Sequence, residues 1–325
     1  MAVVIFAVLL ISMALCAIVN LRRYLAGGVC RSRTSLRGIT VLITGANRGI
    51  GQATTLDLVR RRARVIMACR DTRKGHRAAE EIRKQIPDAD IVVKELDLAS
   101  FKSINRFCDD LLQTESCVHV LINNAGVFYH PEVKTEDGFD TTFQVNYLGP
   151  YLLTNRLLNL LERSAPSRVI VVSSWLHSRG RIDFKNLNGE TRYDKHDVYC
   201  TSKLAVVMFA RELSRHTGGS GVCVYATHPG VAHTEAGRYM RESMSPVPRI
   251  LTRIFGKPIM WLLAKTAMQG AQTIMHCVVS EKLFGISGKY YADCKEVPYP
   301  DVEGVDEGVE KKLWEISERW TGLTE

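Results

Sequence analysis

The chain begins with a long, uninterrupted hydrophobic run. Ala2–Val19 is a stretch of eighteen residues without a charge. At about 1.5 Å per residue, a helix of this length is just long enough to cross a hydrocarbon core of about 30 Å. The pattern predicts a transmembrane anchor over residues 1–21, with residues 2–19 in contact with lipid.

The residues on either side of this run favour a retained anchor over a cleaved secretory signal. No basic residue precedes the run, and Ala14–Cys16 is only a passable cleavage site. A cleaved signal and a peripheral hairpin remain the alternatives. The first 37 residues contain no acidic residue, and their arginines, which all follow the run, are Arg22, Arg23, Arg31, Arg33 and Arg37. The positive-inside rule therefore places the downstream chain in the cytoplasm, with residues 22–37 as a basic tether.

Beyond residue 38, short apolar runs alternate with longer amphipathic stretches. The runs predicted as strands are Ile39–Thr44, Arg64–Ala68, Ile91–Lys94, Val118–Ile122, Val169–Val172 and Val222–Ala226. The stretches predicted as helices are Gly51–Arg62, Lys74–Gln85, Ser100–Gln113, Phe143–Leu161 and Val198–His216. Buried strands alternating with helices are typical of a doubly wound parallel sheet. The pattern predicts one Rossmann-type α/β domain, residues 38–325, behind the N-terminal transmembrane helix.

Charge and cysteine content exclude several classes of protein. The chain has 325 residues and a net charge of +9, of which five charges lie in the first 37 residues, leaving four for the other 288. A nucleic-acid-binding protein would keep a basic stripe on its folded domain, so we expect no nucleic-acid partner. The nine cysteines are scattered without zinc-ligand spacing, which predicts no metal site and a reducing compartment.

A glycine-rich loop joins the first predicted strand to the first predicted helix of the domain. Residues 44–51 read TGANRGIG, which differs from the commoner Gly-x-Gly-x-x-Gly fingerprint. Glycines here let backbone amides approach a pyrophosphate at the helix N-terminus. An ordinary tight turn is the alternative, but the position in the pattern favours nucleotide binding. The candidate cofactor-binding residues are Gly45, Asn47, Arg48, Gly49, Ile50 and Gly51.

The end of the second strand distinguishes NADP(H) from NAD(H). An NAD site presents an acid to the ribose about 20 residues after the glycine loop, whereas Arg70 occupies that position here. An arginine can pair with the 2′-phosphate of NADP, and Arg48 supplies a second cation. The alternative interpretation is that Arg48 and Arg70 are both solvated. Asp71, one residue after Arg70, complicates the assignment because it is an acid close to the position expected in an NAD site. The sequence favours NADP(H).

Three further motifs follow in order: NNAG at 123–126, Ser173-Ser174 after a strand, and Tyr199-x-x-x-Lys203 on a helix. Tyr199 and Lys203 are one turn apart and share a helix face. A nearby ammonium stabilises tyrosinate, so we expect Lys203 to lower the pKa of Tyr199 toward the working range. Ser174 can then hold a substrate carbonyl while Tyr199 transfers the proton.

These motifs together resemble those of the short-chain dehydrogenase/reductase family, over roughly residues 38–295. The resemblance implies an adenine contact for Asp97, and a catalytic asparagine at Asn146 that holds a water in the proton relay. It implies a catalytic tetrad of Asn146, Ser174, Tyr199 and Lys203, in which Tyr199 and Lys203 also contact the cofactor. The further cofactor-binding residues that it implies are Asn123, Ala125, Gly126, Pro229, Gly230, Val231 and Thr234.

Within that family, the chain looks most like the microsomal retinol dehydrogenases. Ser174 and Tyr199 are 25 residues apart, a long interval for the family, and the chain also has ACRD at 68–71, SSWLH at 173–177 and the anchor. The likeness implies an NADP(H)-dependent oxidoreductase for retinal, retinol or other lipophilic carbonyls and alcohols. It implies a single-pass protein of the endoplasmic reticulum or another internal membrane, with its catalytic domain in the cytoplasm.

Several points stay open at this stage. Ser173 is the alternative carbonyl-binding serine. His177 is read as a polar loop residue rather than a substrate contact, and Cys200 as a packing residue. Residues 246–264 fit either a core-packed helix pair or a substrate lid at the membrane, and Val309–Trp320 is predicted as an exposed amphipathic helix. A non-catalytic NADP(H)-binding membrane protein is the alternative function, and a homodimer is one candidate oligomeric state.

Overall fold

The computed structural model describes residues 1–232, 263–299, 302 and 304–323. A single eight-stranded sheet forms its centre. The strands are β1 Thr40–Thr44, β2 Arg64–Cys69, β3 Ile91–Glu95, β4 Val120–Asn123, β5 Ser167–Val172, β6 Val222–His228, β7 Lys289–Ala292 and β8 Lys295–Val297. Their order is β3-β2-β1-β4-β5-β6-β7-β8, parallel throughout except for β8, which pairs antiparallel with β7. This is the predicted Rossmann-type fold.

Helices cover both faces of the sheet. In the described residues they are α2 Gly49–Arg60, α3 Thr72–Gln85, α4 Phe101–Thr114, α5 Thr141–Phe143, α6 Gly149–Arg156, α7 Leu158–Arg163, α8 Lys195–His216, α9 Ala267–Val279 and α10 Glu307–Thr321, and a further helix, α1 Ala2–Ala26, precedes the domain. Alternate strand side chains enter opposite cores, as the pleat requires. Leu42 packs on the side of α4, α6 and α8, whereas Val41 and Ile43 pack on the side of α2, α3 and α9.

The strand order reverses between β1 and β4, and this reversal positions the site. Ile43 of β1 pairs in register with Met67 of β2 on one side and Ile122 of β4 on the other. The connections from β1 and β4 then leave in opposite directions, which opens a crevice at the carboxyl ends of these strands. The glycine loop, NNAG and Ser174 all follow strands at this edge.

From residue 38 onward, the predicted strands and helices match the structure to within about three residues at each end, apart from one region. The stretch predicted as a single helix over Phe143–Leu161 consists of α5, a π-helical turn at Gln144–Leu148, α6 and α7. The sequence pattern did not predict α9, β7 or β8. The predicted insertion at 246–264 lies almost wholly outside the described residues.

Helix α1 is longer than the predicted anchor and stands away from the domain. Its side chains from Val4 to Asn20 are exposed, and Val4–Ala26 is long and apolar enough to cross a membrane by length and composition. The basic stretch after it differs from a free tether, because it packs on the domain. Leu36 is buried and its backbone N–H donates to the carbonyl of Arg61 at 2.7 Å.

Helix α10 is amphipathic, as predicted, but it is not an exposed helix. Trp314 stacks on Phe209 of α8 with ring centroids 5.8 Å apart, and the Ser317 hydroxyl hydrogen-bonds to the Tyr147 hydroxyl at 2.7 Å. Glu310 is fully buried and forms ion pairs with Arg211 and Arg215 of α8. The partners of α10 come from distant segments, so periodicity alone could not reveal them.

Removing the buried carboxylate should destabilise this end of the domain. We expect Glu310→Ala to lower the free energy of unfolding by about 2–4 kcal/mol, since it leaves two arginines without their buried partner while part of each stays solvated. Glu307→Gln is the control, because Glu307 pairs with Lys311 at the surface. Denaturant unfolding followed by tryptophan fluorescence measures both variants. Equal stability of the two variants would contradict the docking of α10.

Candidate active site

A cleft of about 420 Å³ opens at the carboxyl edge of the sheet, where the strand order reverses. It runs from the glycine loop past the ends of β2 and β4 to the serines after β5 and the face of α8. The predicted site residues that line it are Gly45, Asn47, Arg48, Gly49, Ile50, Gly51, Arg70, Asp97, Ala125, Gly126, Ser174, Tyr199, Lys203, Pro229 and Gly230. The fold therefore brings residues from six strand ends, β1 to β6, into one cavity with the face of α8.

The glycine loop lies against the chain without room for side chains. A Cβ at Gly51 would lie 2.3 Å from the carbonyl oxygen of Gly45, and Gly45 itself has a φ of +65°, a left-handed conformation that favours glycine. Asn124 braces the loop by donating from its amide to the carbonyl of Thr44 at 2.9 Å. Backbone amides at the start of α2 thus face the cleft, an arrangement that suits a pyrophosphate.

Positive side chains line the cleft at the end of β2. Arg48, Arg70 and Lys74 all border it. The acid that complicates this region, Asp71, caps α3 through its carboxylate, which accepts from the backbone N–H of Lys74 at 3.1 Å and pairs with that residue's ammonium. The backbone hydrogen bond lowers the pKa of Asp71, so its negative charge is held by the helix terminus.

The opposite end of the cleft holds the polar residues predicted for catalysis. The hydroxyls of Ser174 and Tyr199 are in hydrogen-bonding contact. The Lys203 Nζ lies 5.9 Å from the centroid of the Tyr199 ring and donates to the carbonyl of Val172 at 2.9 Å. The Ser174 Oγ also accepts from the backbone N–H of Leu176 at 3.3 Å. A hydroxyl pair and an ammonium therefore meet at one end of the cavity.

Burial controls the ionisation of this group. Tyr199 as a residue is half-buried, but its hydroxyl is desolvated, which raises its pKa to about 12. Burial also lowers the pKa of Lys203 to about 8. The expected lowering of the Tyr199 pKa is therefore wrong for this structure, because desolvation of the phenolate raises the pKa more than the hydrogen bond with Ser174 lowers it. The phenol is protonated at neutral pH.

The two neighbouring serines and His177 have different surroundings. The Ser173 hydroxyl donates to the backbone carbonyl of Lys203 at 2.8 Å, whereas the Ser174 hydroxyl faces Tyr199. His177 is buried under the turn, where its Nδ1 contacts the Ser174 carbonyl and lies 3.3 Å from the Tyr290 hydroxyl. His177 is thus neither an exposed loop residue nor a residue that lines the cleft.

Two predicted asparagines lie behind the cleft wall. Asn146, in the π-helical turn, accepts from the backbone N–H of Val127 at 2.8 Å and donates to the Ser202 hydroxyl of α8 at 3.0 Å. Asn123 donates to the Thr154 hydroxyl at 2.9 Å. Their side chains join the NNAG segment to the neighbouring helices.

The last predicted cofactor-binding residues, Val231 and Thr234, are not among the described residues that line the cleft. Val231 is exposed and does not line the cleft, where Ala232 lies instead, and Thr234 is outside the described residues. The residues at the cleft that the sequence analysis did not assign include Lys74, Asn124, Val127, Phe128 and His130. Asn124 lies inside the NNAG motif and Val127, Phe128 and His130 follow it, so extending that motif toward the C-terminus would have found them.

The geometry agrees with comparisons against known proteins. Residues 39–245 match the family model described as short chain dehydrogenase. Retinol dehydrogenase 13 of Homo sapiens is 47% identical over 94% of this chain and 92% of its own. Retinol dehydrogenase 14 of Mus musculus is 46% identical, covering 89% and 87% of the two chains. Retinol dehydrogenase 12 of Homo sapiens is 44% identical, covering 94% and 93%.

Solved structures share the fold. A crystal structure of an uncharacterized protein from Mycobacterium Paratuberculosis aligns with a TM-score of 0.72 at 33% identity, covering 91% of this chain and 98% of the other. Levodione reductase aligns with a TM-score of 0.64 at 19% identity over 79% and 95%. With a family match over well over half of its length, and relatives this similar along nearly all of it, the chain belongs to the short chain dehydrogenase family of oxidoreductases.

Proposed function

We propose that this protein is a membrane-anchored, NADP(H)-dependent oxidoreductase that interconverts a lipophilic carbonyl and its alcohol, with retinal and retinol as the substrate pair. One observation carries the proposal. A cleft suited to a dinucleotide ends at the contact between Ser174 and Tyr199, beside the buried ammonium of Lys203. A non-catalytic binding protein has no need for a proton donor and a carbonyl-binding hydroxyl at the end of the cofactor cleft.

The residues of the cleft fit a nicotinamide dinucleotide. The side-chain-free surface at Gly45 and Gly51 and the N-terminus of α2 suit a pyrophosphate, and Asp97 borders the cleft where the resemblance assigns the adenine. When bound, the reduced nicotinamide supplies a hydride to the carbonyl carbon of the substrate. Pro229 and Gly230 line the same cleft beyond β6 and would enclose the nicotinamide end.

Ser174 and Tyr199 perform the proton chemistry in this proposal. The Ser174 hydroxyl orients the substrate carbonyl, and Tyr199 donates its proton to the carbonyl oxygen. Because the pKa of Tyr199 is raised to about 12, its proton is present at neutral pH, the state that carbonyl reduction needs. Alcohol oxidation requires the opposite transfer, from the alcohol to the phenolate.

Lys203 and Asn146 support that step in different ways. Lys203 would hold the nicotinamide ribose and stabilise negative charge on Tyr199 as the proton leaves. Asn146 holds the loop after β4 and, through Ser202, the helix that carries Tyr199 and Lys203. We propose that it acts as a positioning residue and in the proton relay that the resemblance implies.

The preference for NADP(H) rests on charge. Arg48, Arg70 and Lys74 border the cleft at the end of β2, and the carboxylate of Asp71 is engaged as a helix cap. An arginine can bind a phosphate through two charge-assisted hydrogen bonds. This end of the cleft therefore suits the additional phosphate of NADP(H) better than the free ribose hydroxyls of NAD(H).

The names of the relatives support the substrate class, and helix α1 supports the location. The relatives are retinol dehydrogenases, so we propose a retinoid or a related lipophilic aldehyde as substrate. Helix α1, which the sequence predicts as an anchor over residues 1–21, would cross an internal membrane such as the endoplasmic reticulum once. The arginines after it favour a cytoplasmic catalytic domain.

Removing the phenolic proton should abolish turnover. We expect Tyr199→Phe to retain less than about 10% of the wild-type rate with all-trans-retinal while NADPH affinity stays nearly unchanged, because the ring still packs. Tyr193→Phe is the control, since Tyr193 lies on the loop before α8 and does not line the cleft. NADPH absorbance gives the rates and NADPH fluorescence the affinity. A fully active Tyr199→Phe enzyme would rule out Tyr199 as the proton donor.

Removing the arginine after β2 should erode the cofactor preference. An arginine–phosphate contact contributes about 1.5–3 kcal/mol, so Arg70→Ala should reduce NADPH affinity by about 10- to 150-fold and leave NADH affinity nearly unchanged. Arg73→Ala, a change at an exposed position in the first turn of α3, should alter neither affinity. If the affinity ratio does not change in Arg70→Ala, the phosphate contact belongs to Arg48 or Lys74.

The pH dependence should follow Lys203. Because its pKa is lowered to about 8, the ammonium is present below that pH and lost above it, so the rate of retinal reduction should be steady near neutrality and fall as the pH rises through about 8. Single-turnover rates at saturating NADPH measure this. In Lys203→Met the overall rate should be low and the step near pH 8 absent. A wild-type rate that stays constant to pH 10 would contradict the role of Lys203.

Deleting residues 1–21 should release the domain from the membrane without unfolding it, because the cofactor motifs all follow residue 38. On sealed microsomes, we expect added protease to digest the catalytic domain of the full chain without detergent. A domain that is protected until detergent is added would place it in the lumen and contradict the proposed topology.

A further inference from the structure

The path of residues 22–37 determines which edge of the sheet faces the anchor. Strand β1 begins with Thr40 at the amino edge of the parallel sheet, and the cleft opens at the carboxyl edge. A flexible tether would leave from the amino edge and hold the cleft at no fixed angle to the membrane. Traced back from β1, the tether instead runs along helix α9 to the carboxyl edge, where the cleft opens.

Hydrogen bonds hold the tether along the whole of α9. The backbone N–H of Cys30 donates to Gln272 Oε1 at 3.0 Å, and Arg22 Nη2 donates to Gln269 Oε1 at 3.1 Å. Further along the chain, the Thr34 hydroxyl donates to Glu281 at 3.3 Å, just beyond the C-terminus of α9. The tether therefore runs parallel to α9, and α1 ends beside the first turn of that helix.

Two glycines allow the closest part of this contact. A Cβ at Gly28 would lie 1.9 Å from the carbonyl oxygen of Asp293, and one at Gly27 would lie 2.2 Å from the Asp293 carboxylate. Asp293 in turn pairs with the buried ammonium of Lys265. At this point only glycine fits, so the sequence specifies a docked segment rather than a random linker.

The first turn of α9 lies at the cleft edge. The backbone N–H of Lys265 donates to the carbonyl of Val231 at 2.8 Å, and the next residue, Ala232, lines the cleft. A Cβ at Gly230, which also lines the cleft, would lie 2.9 Å from the Lys265 side chain. Helix α1 is therefore attached beside the segment that follows β6, at the mouth of the cleft.

We infer that the mouth of the cleft faces the bilayer, and that its rim rests on the lipid surface. This inference rests on the proposed membrane anchoring. Three apolar residues at the carboxyl edge form an exposed rim around the mouth of the cleft. The exposed fraction of the residue is 42% for Trp175, 51% for Val231 and 48% for Leu263. They suit contact with acyl chains, and the exposed Arg23 in the last turn of α1 and Arg31 in the tether suit anionic headgroups.

The orientation assigns a route to the substrate. A lipophilic aldehyde dissolved in the bilayer reaches Ser174 and Tyr199 through the rim, without first crossing into water. The amino edge, which carries exposed Phe284, faces away from the membrane. The docked tether thus favours lipophilic substrates over water-soluble ones, because it presents the active site to substrates that partition into lipid.

Photolabelling tests the orientation directly. The full chain is placed in phospholipid nanodiscs that contain a phosphatidylcholine with a diazirine on its acyl chain, and labelled peptides are identified after irradiation. We expect labels on α1 and on peptides containing Trp175 or Val231, and none on the peptide containing Phe284. Labels on α1 with an unlabelled rim would overturn the orientation while leaving the anchor intact. An unlabelled α1 would contradict the anchoring and the orientation that depends on it.

Releasing the tether tests the consequence for activity. Gly28→Ala should reduce labelling of the rim several-fold and lower turnover of all-trans-retinal in nanodiscs by about tenfold. Turnover of a short water-soluble aldehyde and NADPH affinity should not change. Gly308→Ala is the matched control, since its Cβ meets only the flexible Asp306 side chain at 3.2 Å.

If Gly28→Ala fails to fold, Gln272→Ala is the second variant. It removes the bond to Cys30, together with a bond from Gln272 to the Met268 carbonyl within α9, and should show a smaller change in the same direction. An equal loss of turnover with both aldehydes in these variants would overturn the inference. A wild-type protein that turns over neither aldehyde would contradict the proposed function itself.

Discussion

The desolvation of the Tyr199–Lys203 pair is the constraint on which the rest of the site depends. An ammonium in the interior needs a partner, and Lys203 finds one in the carbonyl of Val172 at the end of β5. That bond is available only because β5 ends where α8 crosses the carboxyl edge of the sheet. The same burial raises the pKa of Tyr199 and keeps its proton at neutral pH. The sheet topology thus supplies both the location and the ionisation state of the candidate proton donor.

The helices around this pair hold it in place through buried polar contacts. Asn146 joins the loop after β4 to Ser202 on α8. Helix α10 then fastens α8 through Glu310 and the π-helical turn through Ser317. These contacts link the two segments that carry the candidate catalytic groups. A C-terminal helix without chemistry of its own therefore contributes to the geometry of the site.

Much of this arrangement could be predicted from the sequence, because the motifs lie at strand ends and short apolar runs locate the buried strands. The missed elements have physical reasons. Strand β8 has three residues, and β7 is bounded by a turn at Asp293 and Cys294 with positive φ angles rather than by a recognisable hairpin signal. The docking of α10 and of Gly27 and Gly28 depends on partners far away in the chain. The direction of the Tyr199 pKa shift could not be predicted from the spacing of Tyr199 and Lys203. That spacing suggests that the ammonium stabilises tyrosinate, but it does not show how far folding removes water from the phenol.

A titration of Tyr199 tests the central claim most directly. The absorbance of tyrosinate near 295 nm is followed against pH in the full chain, and the titration of Tyr199→Phe is subtracted to isolate one phenol. We predict a midpoint well above the value of about 10 for an exposed tyrosine, near the pKa of about 12 that burial produces. A midpoint at or below 10 would mean that the phenol is not desolvated, and would contradict the account of how this fold prepares its proton donor.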